Sequence, residues 1–188
     1  MSRWQPNARG RLEQAALDLY TERGFDQTTV AEIAQRAGLT ERTFFRHFAD
    51  KREVLFWGQD ALTQLVTTHI AGVADSASPF EAVGGALWAV GEMFEGRREH
   101  ARRRQAVVAA NPGLQERELI KLASLAAAMA EALGRRGVPQ PAAKLTAETA
   151  VAIFKVAFDR WISTGGDADL THVIGDSLDE LKALTADT

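Results

Sequence analysis

The sequence predicts an all-α fold of about nine helices, and three observations carry that prediction. Apolar residues recur at helical spacing in nearly every segment, and no stretch sustains strand alternation. Glycine or proline punctuates the pattern wherever it breaks, as at Gly24, Gly38, Pro112 and Gly137. An apolar content of 46% with 25% charged residues is the ordinary balance of a chain that buries a real core. Its 188 residues suit one domain, or a small domain joined to a moderate one.

Taken in order, the first helix runs on Leu12, Ala15, Ala16, Leu19 and Tyr20 and stops at Gly24. A second follows Thr28 or Thr29, with Val30, Ile33, Ala34 and Ala37 on one face. Gly38 ends it, since glycine takes the left-handed conformation that a tight exit needs. Thr40 is placed as the N-cap of a short third helix. Asp50 offers the next cap, for a long helix carrying Val54, Leu55, Leu62, Leu65 and Val66 into the low seventies. Ser78 and Pro79 open a helix with Phe80, Val83, Leu87 and Phe94. The run "GRREHARRRQAVVAA" reads as a helix ending at Asn111 and Pro112, and residues 114–136 make another, closed by Gly137. Pro139 and Pro141 precede a helix that reaches Thr164 and breaks at Gly165 and Gly166. The last helix carries Leu170, Val173, Ile174, Ser177, Leu178 and Leu181. No internal repeat and no low-complexity tract interrupts this series.

The stretch "GLTERTFFRHFADKREVLF" sets phenylalanines among Arg42, Arg46, His47, Lys51 and Arg52. A helix of this length is marginal alone in water, where isolated helices need about 12–15 residues, so packing must hold it. Phe44 and Phe48 lie four apart and share a face, with Leu39 able to join them. Arg42, Thr43, Arg46 and His47 rotate away from that face. Two short helices joined by a glycine turn, the second presenting donors outward, fit a helix-turn-helix. Thr29 and Thr40 stand at two helix starts, where hydroxyls and free backbone N–H groups suit anions. A net charge of −3 excludes wholesale coating of nucleic acid and leaves a local patch. Arg3, Arg9 and Arg11 add an amino-terminal arm with no acid in residues 1–11.

Beyond single elements, "TTVAEIAQRAGLTERTFFRHFADKREVL" resembles the signature of the TetR family of bacterial transcriptional regulators, and "AALDLYTERGFDQTTV" extends the match upstream. The resemblance covers the chain through about Leu55. It is specific there, because many positions agree at fixed spacing; "RTFFRHFADK" is also similar to an actinobacterial subgroup. It implies a DNA-binding helix-turn-helix domain over residues 1–52 and a helical effector-binding and dimerisation domain over 53–188. Residue by residue, it implies phosphate contacts from Thr29, Thr40, Thr43, His47 and Lys51, and base contacts from Glu41, Arg42 and Thr43. Arg9, Arg11, Phe45 and Arg46 are further candidates. The family usually has Tyr where this chain has Phe45, so a phosphate-binding hydroxyl is missing there. Ala31 stands where some members carry a base-reading Arg, which shifts specificity onto the third helix.

In the remainder, Trp57, Trp88, Phe94, Met129, Phe154, Phe158 and Trp161 are candidates for an apolar effector pocket, with Gln64, His69 and Gln105 as its polar contacts. Any one of these alone is more readily plain core, and only the set together suggests a pocket. Val151, Phe154, Phe158, Leu170, Ile174, Leu178 and Leu181 are the expected surface of a four-helix dimer seam, because two half-sites on DNA call for two recognition helices. The run Arg97, Arg98, Arg102, Arg103 and Arg104, with Glu95, Glu99, Glu116 and Glu118 near it, reads as a salt-bridged exposed face.

Several classes are disfavoured. With Cys 0, disulfides, thiolate zinc sites and cysteine nucleophiles are out. His47, His69, His100 and His172 show no metal-ligand pairing, and no nucleophile elbow, P-loop or dinucleotide fingerprint is present. No cofactor and no metal is expected, and an enzyme is the weak alternative. No segment approaches the ~20 apolar residues of a membrane span, and the amino terminus lacks a signal peptide's apolar run, so a cytoplasmic location is expected. The expected partners are double-stranded operator DNA, a second copy of the chain, and a small apolar or amphipathic effector. The rival reading is a DNA-binding dimer without an effector, or one governed by a partner protein.

Overall fold

The computed structural model describes residues 7–164 and 169–186; Arg3 and the expected break at Gly165 and Gly166 lie outside them. The described residues form nine α-helices and one 3-10 turn, with no strand, and they divide into two compact units.

The first unit holds residues 7–58 together with 103–118. Its helices are α1 (Ala8–Arg23), α2 (Val30–Arg36) and α3 (Glu41–His47), followed by a 3-10 turn over Glu53–Phe56. Asn7 begins α1 by accepting the Gly10 N–H, and Gly24, at φ 89, leaves it in a conformation that side chains resist. Leu12, Ala16, Leu17 and Leu19 are buried against Ile33, Phe44, Phe48, Val54 and Phe56 in one core. That core is completed by Val107, Val108 and Leu114. They come from the far end of α6 (Arg98–Ala109) and the start of α7 (Pro112–Arg135). The first unit therefore takes in residues 53–58 and 103–118 beyond the expected cut at residue 52. Polar ties hold the added segment. Arg103 pairs with Asp18 at 2.8 Å, Arg104 with Glu118 at 2.9 Å, and Arg117 with Glu53. Arg104 also donates to the Leu55 carbonyl at 2.9 Å and lies over the Phe56 ring. The arginine run is thus only partly the solvent face expected from sequence. Arg102 pairs outward with Glu99, whereas Arg103 and Arg104 turn toward the first unit's core.

The expected long helix from Asp50 is also divided. Asp50 does cap, accepting the N–H groups of Arg52 and Glu53 at 2.8 and 3.1 Å, but what it starts is the 3-10 turn. A separate α4 (Gln59–Gly72) follows Gly58. Glycine beside a short tight turn costs the helix its continuity.

The second unit holds residues 59–102, 119–164 and 169–186. Its helices are α4, α5 (Pro79–Met93), the start of α6, most of α7, α8 (Gln140–Ser163) and α9 (Leu170–Ala186). Ser78 starts α5 with a capping box, its hydroxyl and N–H both bonded to the Glu81 carboxylate. Arg136 closes α4 by donating to the carbonyls of Ile70, Val73 and Ala74, cation against helix C-terminus. Val66, Ile70, Val83, Val90, Met129, Leu133, Ile153 and Ile174 are buried in its core.

Candidate nucleic-acid interface

The candidate site is built on α2, α3 and the turn between them. Gly38, at φ 65, makes that turn, while the Leu39 N–H returns to the Ala34 carbonyl at 2.8 Å. Ile33 and Ala34 of α2 are buried, and Phe44 of α3 is fully so. The Phe44 ring stands 5.4 Å from Phe45 and 5.5 Å from Phe48, both inside the favourable range for aromatic pairs. Thr40 caps α3, its hydroxyl accepting the Thr43 N–H at 3.2 Å and lying 3.1 Å from the Thr43 hydroxyl. The seven residues of α3 are fixed at both ends and along one face.

Opposite that buried face, Glu41, Arg42, Phe45 and Arg46 are exposed. Their spacing puts them side by side. No carboxylate pairs with Arg42 or Arg46 among the described residues. Rigid backbone, two unpaired guanidinium groups and two hydroxyls at the helix start can engage an anionic surface by charge and a groove by shape.

Most of the other expected contacts are partnered within the chain. Thr29 caps α2, but its hydroxyl and its N–H both donate to the Glu32 carboxylate, at 2.8 and 2.9 Å. Arg23 holds the other carboxylate oxygen at 2.6 Å. Those bonds, led by the Thr29 N–H, keep the Glu32 carboxyl below the usual range. Glu32 therefore occupies the anion position expected for phosphate at that helix start. The spacing Thr29-x-x-Glu32 is a capping-box signature, and it was the signal that could have revealed this.

Lys51 is not the first residue of a helix. It sits in the turn before Glu53, and its ammonium donates to the carbonyls of Phe25 and Thr28, both at 2.9 Å, while facing the Phe25 ring at 4.3 Å. Its own carbonyl accepts the Tyr20 phenol at 2.7 Å. Burial pushes that phenol's pKa up, with Asp50 adding to the effect. Lys51 thus ties residues 25–28 to the rest of the unit instead of standing free. Lys51→Met, which keeps the stem and removes the donors, should cost about 1–3 kcal/mol of stability in urea unfolding. Unchanged stability with a salt slope of DNA binding shallower by about one would instead return Lys51 to the phosphates.

His47 is half-buried, and its Nε2 is enclosed without a hydrogen-bond partner among the described residues. Burial, then the nearby Arg46 and Arg9, hold its pKa below 6.5, so the neutral ring is favoured. The arm is also engaged. Arg9 lies 5.8 Å from the Phe48 and Trp57 ring centres, and Arg11 donates to the Ala37 carbonyl at the end of α2. Both arginines fasten α1 to the helix-turn-helix, a role invisible in a basic run read as sequence.

The expected effector residues fall into two groups. Trp57 packs on the first unit's core, and Gln105 donates to Glu118 there. In the second unit, Phe94, Phe154, Phe158 and Trp161 form one aromatic cluster, with Phe94 5.7 Å from Phe158 and 6.1 Å from Trp161. Met129 and Phe154 line an apolar seam with Leu62, Val66, Leu87, Val90, Leu125 and Val151, which encloses about 10 Å³. Gln64 and His69 border a solvent-open hollow on α4 with Ala61, Leu65 and Thr68. Trp88 is half-exposed on α5. The expected dimer stripe is divided, with three of its seven residues buried and four partly exposed. Val151, Leu170 and Ile174 are buried in their own unit's core, and Phe154, Phe158, Leu178 and Leu181 pack against it. α8 instead exposes Leu145, Ala152 and Val156, with Thr149 half-exposed between them. These four recur at helical spacing on one face.

Among the described residues there is no cluster of metal-ligating side chains, and no helix is long and apolar enough to cross a membrane.

Comparison with known proteins gives two matches to family patterns. Residues 13–56 match "Bacterial regulatory proteins, tetR family", and residues 77–186 match the MftR C-terminal domain. MftR of Mycobacterium tuberculosis, a regulator named for mycofactocin biosynthesis, is 26% identical over 92% of this chain and 88% of its own. The HTH-type regulator TcmR of Streptomyces glaucescens is 35% identical over 44% of this chain, which spans only 36% of that protein. Among solved structures, FadR of Bacillus subtilis, in complex with stearoyl-CoA, superposes with a TM-score of 0.63 at 17% identity, over 92% of this chain and 96% of that one.

Proposed function

Because this chain belongs to the tetR family of bacterial regulatory proteins, and so is a transcriptional regulator and not an enzyme, we propose that it is a repressor. It holds a pseudo-palindromic operator as a homodimer and lets go when a small apolar effector enters its second unit. One observation carries the DNA-binding half of this reading: the phenylalanine-braced α3 presents Arg42 and Arg46 outward with no carboxylate among the described residues to neutralise them.

In that reading Arg42 and Glu41 meet base edges, Arg suiting a guanine bidentately, while Arg46 and the Thr40 and Thr43 hydroxyls meet phosphates. Thr29 and Lys51 position this surface through the bonds described above. The two copies join through the α8 face of Leu145, Thr149, Ala152 and Val156, where the small Thr149 and Ala152 let helices approach closely. The cell compartment is the one that holds the DNA, the cytoplasm.

For the effector, the apolar seam is the favoured place of entry. Its lining carries no charge, and at about 10 Å³ it has room for little more than a water. A ligand must part it, and it shifts the DNA-bound population only so far as it prefers the parted state. A thin acyl chain parts a closed seam with the least displacement, and the similar FadR structure contains stearoyl-CoA.

Selection of duplexes from a random pool tests the DNA-binding half. An inverted repeat with half-sites about one helical turn (~34 Å) apart is expected; no enrichment would refute it. On the selected duplex, Arg42→Ala should relax preference at one position per half-site and cost about 1–3 kcal/mol against the cognate sequence only. Equal losses on random duplex would remove its base-reading role. For the effector, acyl thioesters that raise thermal stability should also release the duplex; stabilisation without release would remove the switch.

A further inference from the structure

We infer that Phe45 is a base-reading residue, recognising the C5-methyl group of a thymine in each half-site. The inference rests on the DNA-binding reading above and deepens it. Phe45 is 56% exposed on α3, whereas Phe44 of the same helix and Phe48 just after it are buried. It is not loosely placed. Its ring meets Phe44 edge-on at 5.4 Å and 81°, which pins its inner edge and leaves the rest open. An open phenyl ring between two guanidinium groups that no described carboxylate pairs has one chemical class of partner that satisfies both features, an anionic surface carrying apolar methyl groups. A duplex major groove is such a surface, and the thymine methyl is its apolar landmark.

Register supports the assignment. Phe45 is three residues from Arg42 and four from Glu41, so all three share one face with Cβ atoms about 5–6 Å apart. Base pairs step by about 3.4 Å. A thymine one or two base pairs from the one read by Arg42 is therefore within Phe45's reach. A hydroxyl at this position could bond a phosphate or a base edge; the phenyl ring can do neither, and its contribution is apolar.

The test exchanges single thymines of the selected operator for uracil, which removes the methyl group and nothing else. For the unaltered protein, one uracil placed in a single half-site should weaken binding about threefold to fivefold, the effect of withdrawing one buried methyl. Phe45→Ala, at an exposed position, should bind the thymine and uracil duplexes equally. Indifference of the unaltered protein to every uracil, or undiminished uracil sensitivity in Phe45→Ala, would overturn the inference while leaving the DNA-binding reading intact. Failure to enrich any duplex would remove both.

Discussion

Phe44→Ala is expected to lower the first unit's stability by about 3–5 kcal/mol, the range for truncating a fully buried phenylalanine, and to abolish operator binding. The ring is 0% exposed, and it is the common neighbour of Phe45 and Phe48. Its loss reaches further than a cavity, because α3 has seven residues and little helical stability of its own. Without the ring, the surface carrying Arg42, Phe45 and Arg46 has nothing to hold its register. Urea unfolding followed by fluorescence in a chain that keeps Trp57, which packs on the first unit's core, and replaces the other tryptophans by Phe should show the loss, together with duplex binding. Phe45→Ala supplies the contrast: it should leave the unfolding midpoint nearly unchanged, since surface substitutions usually fall within about ±0.5 kcal/mol. If the two variants were equally stable, α3 would not depend on Phe44 for its hold.

These contrasts show which parts of the molecule sequence reasoning could reach. The helix starts at Thr29, Thr40 and Ser78 and the stops at Gly24, Gly38 and Gly137 were legible because capping and left-handed turns are local chemistry. The burial of Phe44 beside an outward Arg42 followed from helical spacing alone. Partnerships across distance did not follow. Nothing near Lys51 in sequence signals that its acceptors are the carbonyls of Phe25 and Thr28. Likewise, nothing in the sequence of α6 and α7 says that Val107, Val108 and Leu114 complete the first unit's core. The stripe on α9 was legible as apolar, but its neighbour was not, since a clean stripe is equally suited to a partner chain and to its own core. α8's outward face was missed for the opposite reason: two of its four residues are Thr149 and Ala152, which carry little apolar signal.

Gly91→Ala is the second large effect expected, and it tests how closely α5 and α9 approach. A Cβ at Gly91 would stand 2.6 Å from the Thr171 hydroxyl, 2.8 Å from its Cα and 2.9 Å from its N. Two of those atoms are backbone and cannot rotate aside, so α9 must shift as a body. Overpacking of this kind costs about 1–3 kcal/mol, against which alanine's helix preference over glycine returns at most about 1 kcal/mol. Gly84, one of α5's other glycines, separates the two terms. Its added Cβ would meet only the Leu178 Cδ1, at 3.7 Å, an ordinary contact, so Gly84→Ala should be neutral or stabilising by up to about 1 kcal/mol. Thermal unfolding of the pair therefore has a signed expectation, down for Gly91 and level or up for Gly84. Stabilisation by both would mean that α9 yields freely at Thr171. The crossing would then be loose enough to admit movement of α9 against α5, and the second unit's core would be less rigid than its burial implies.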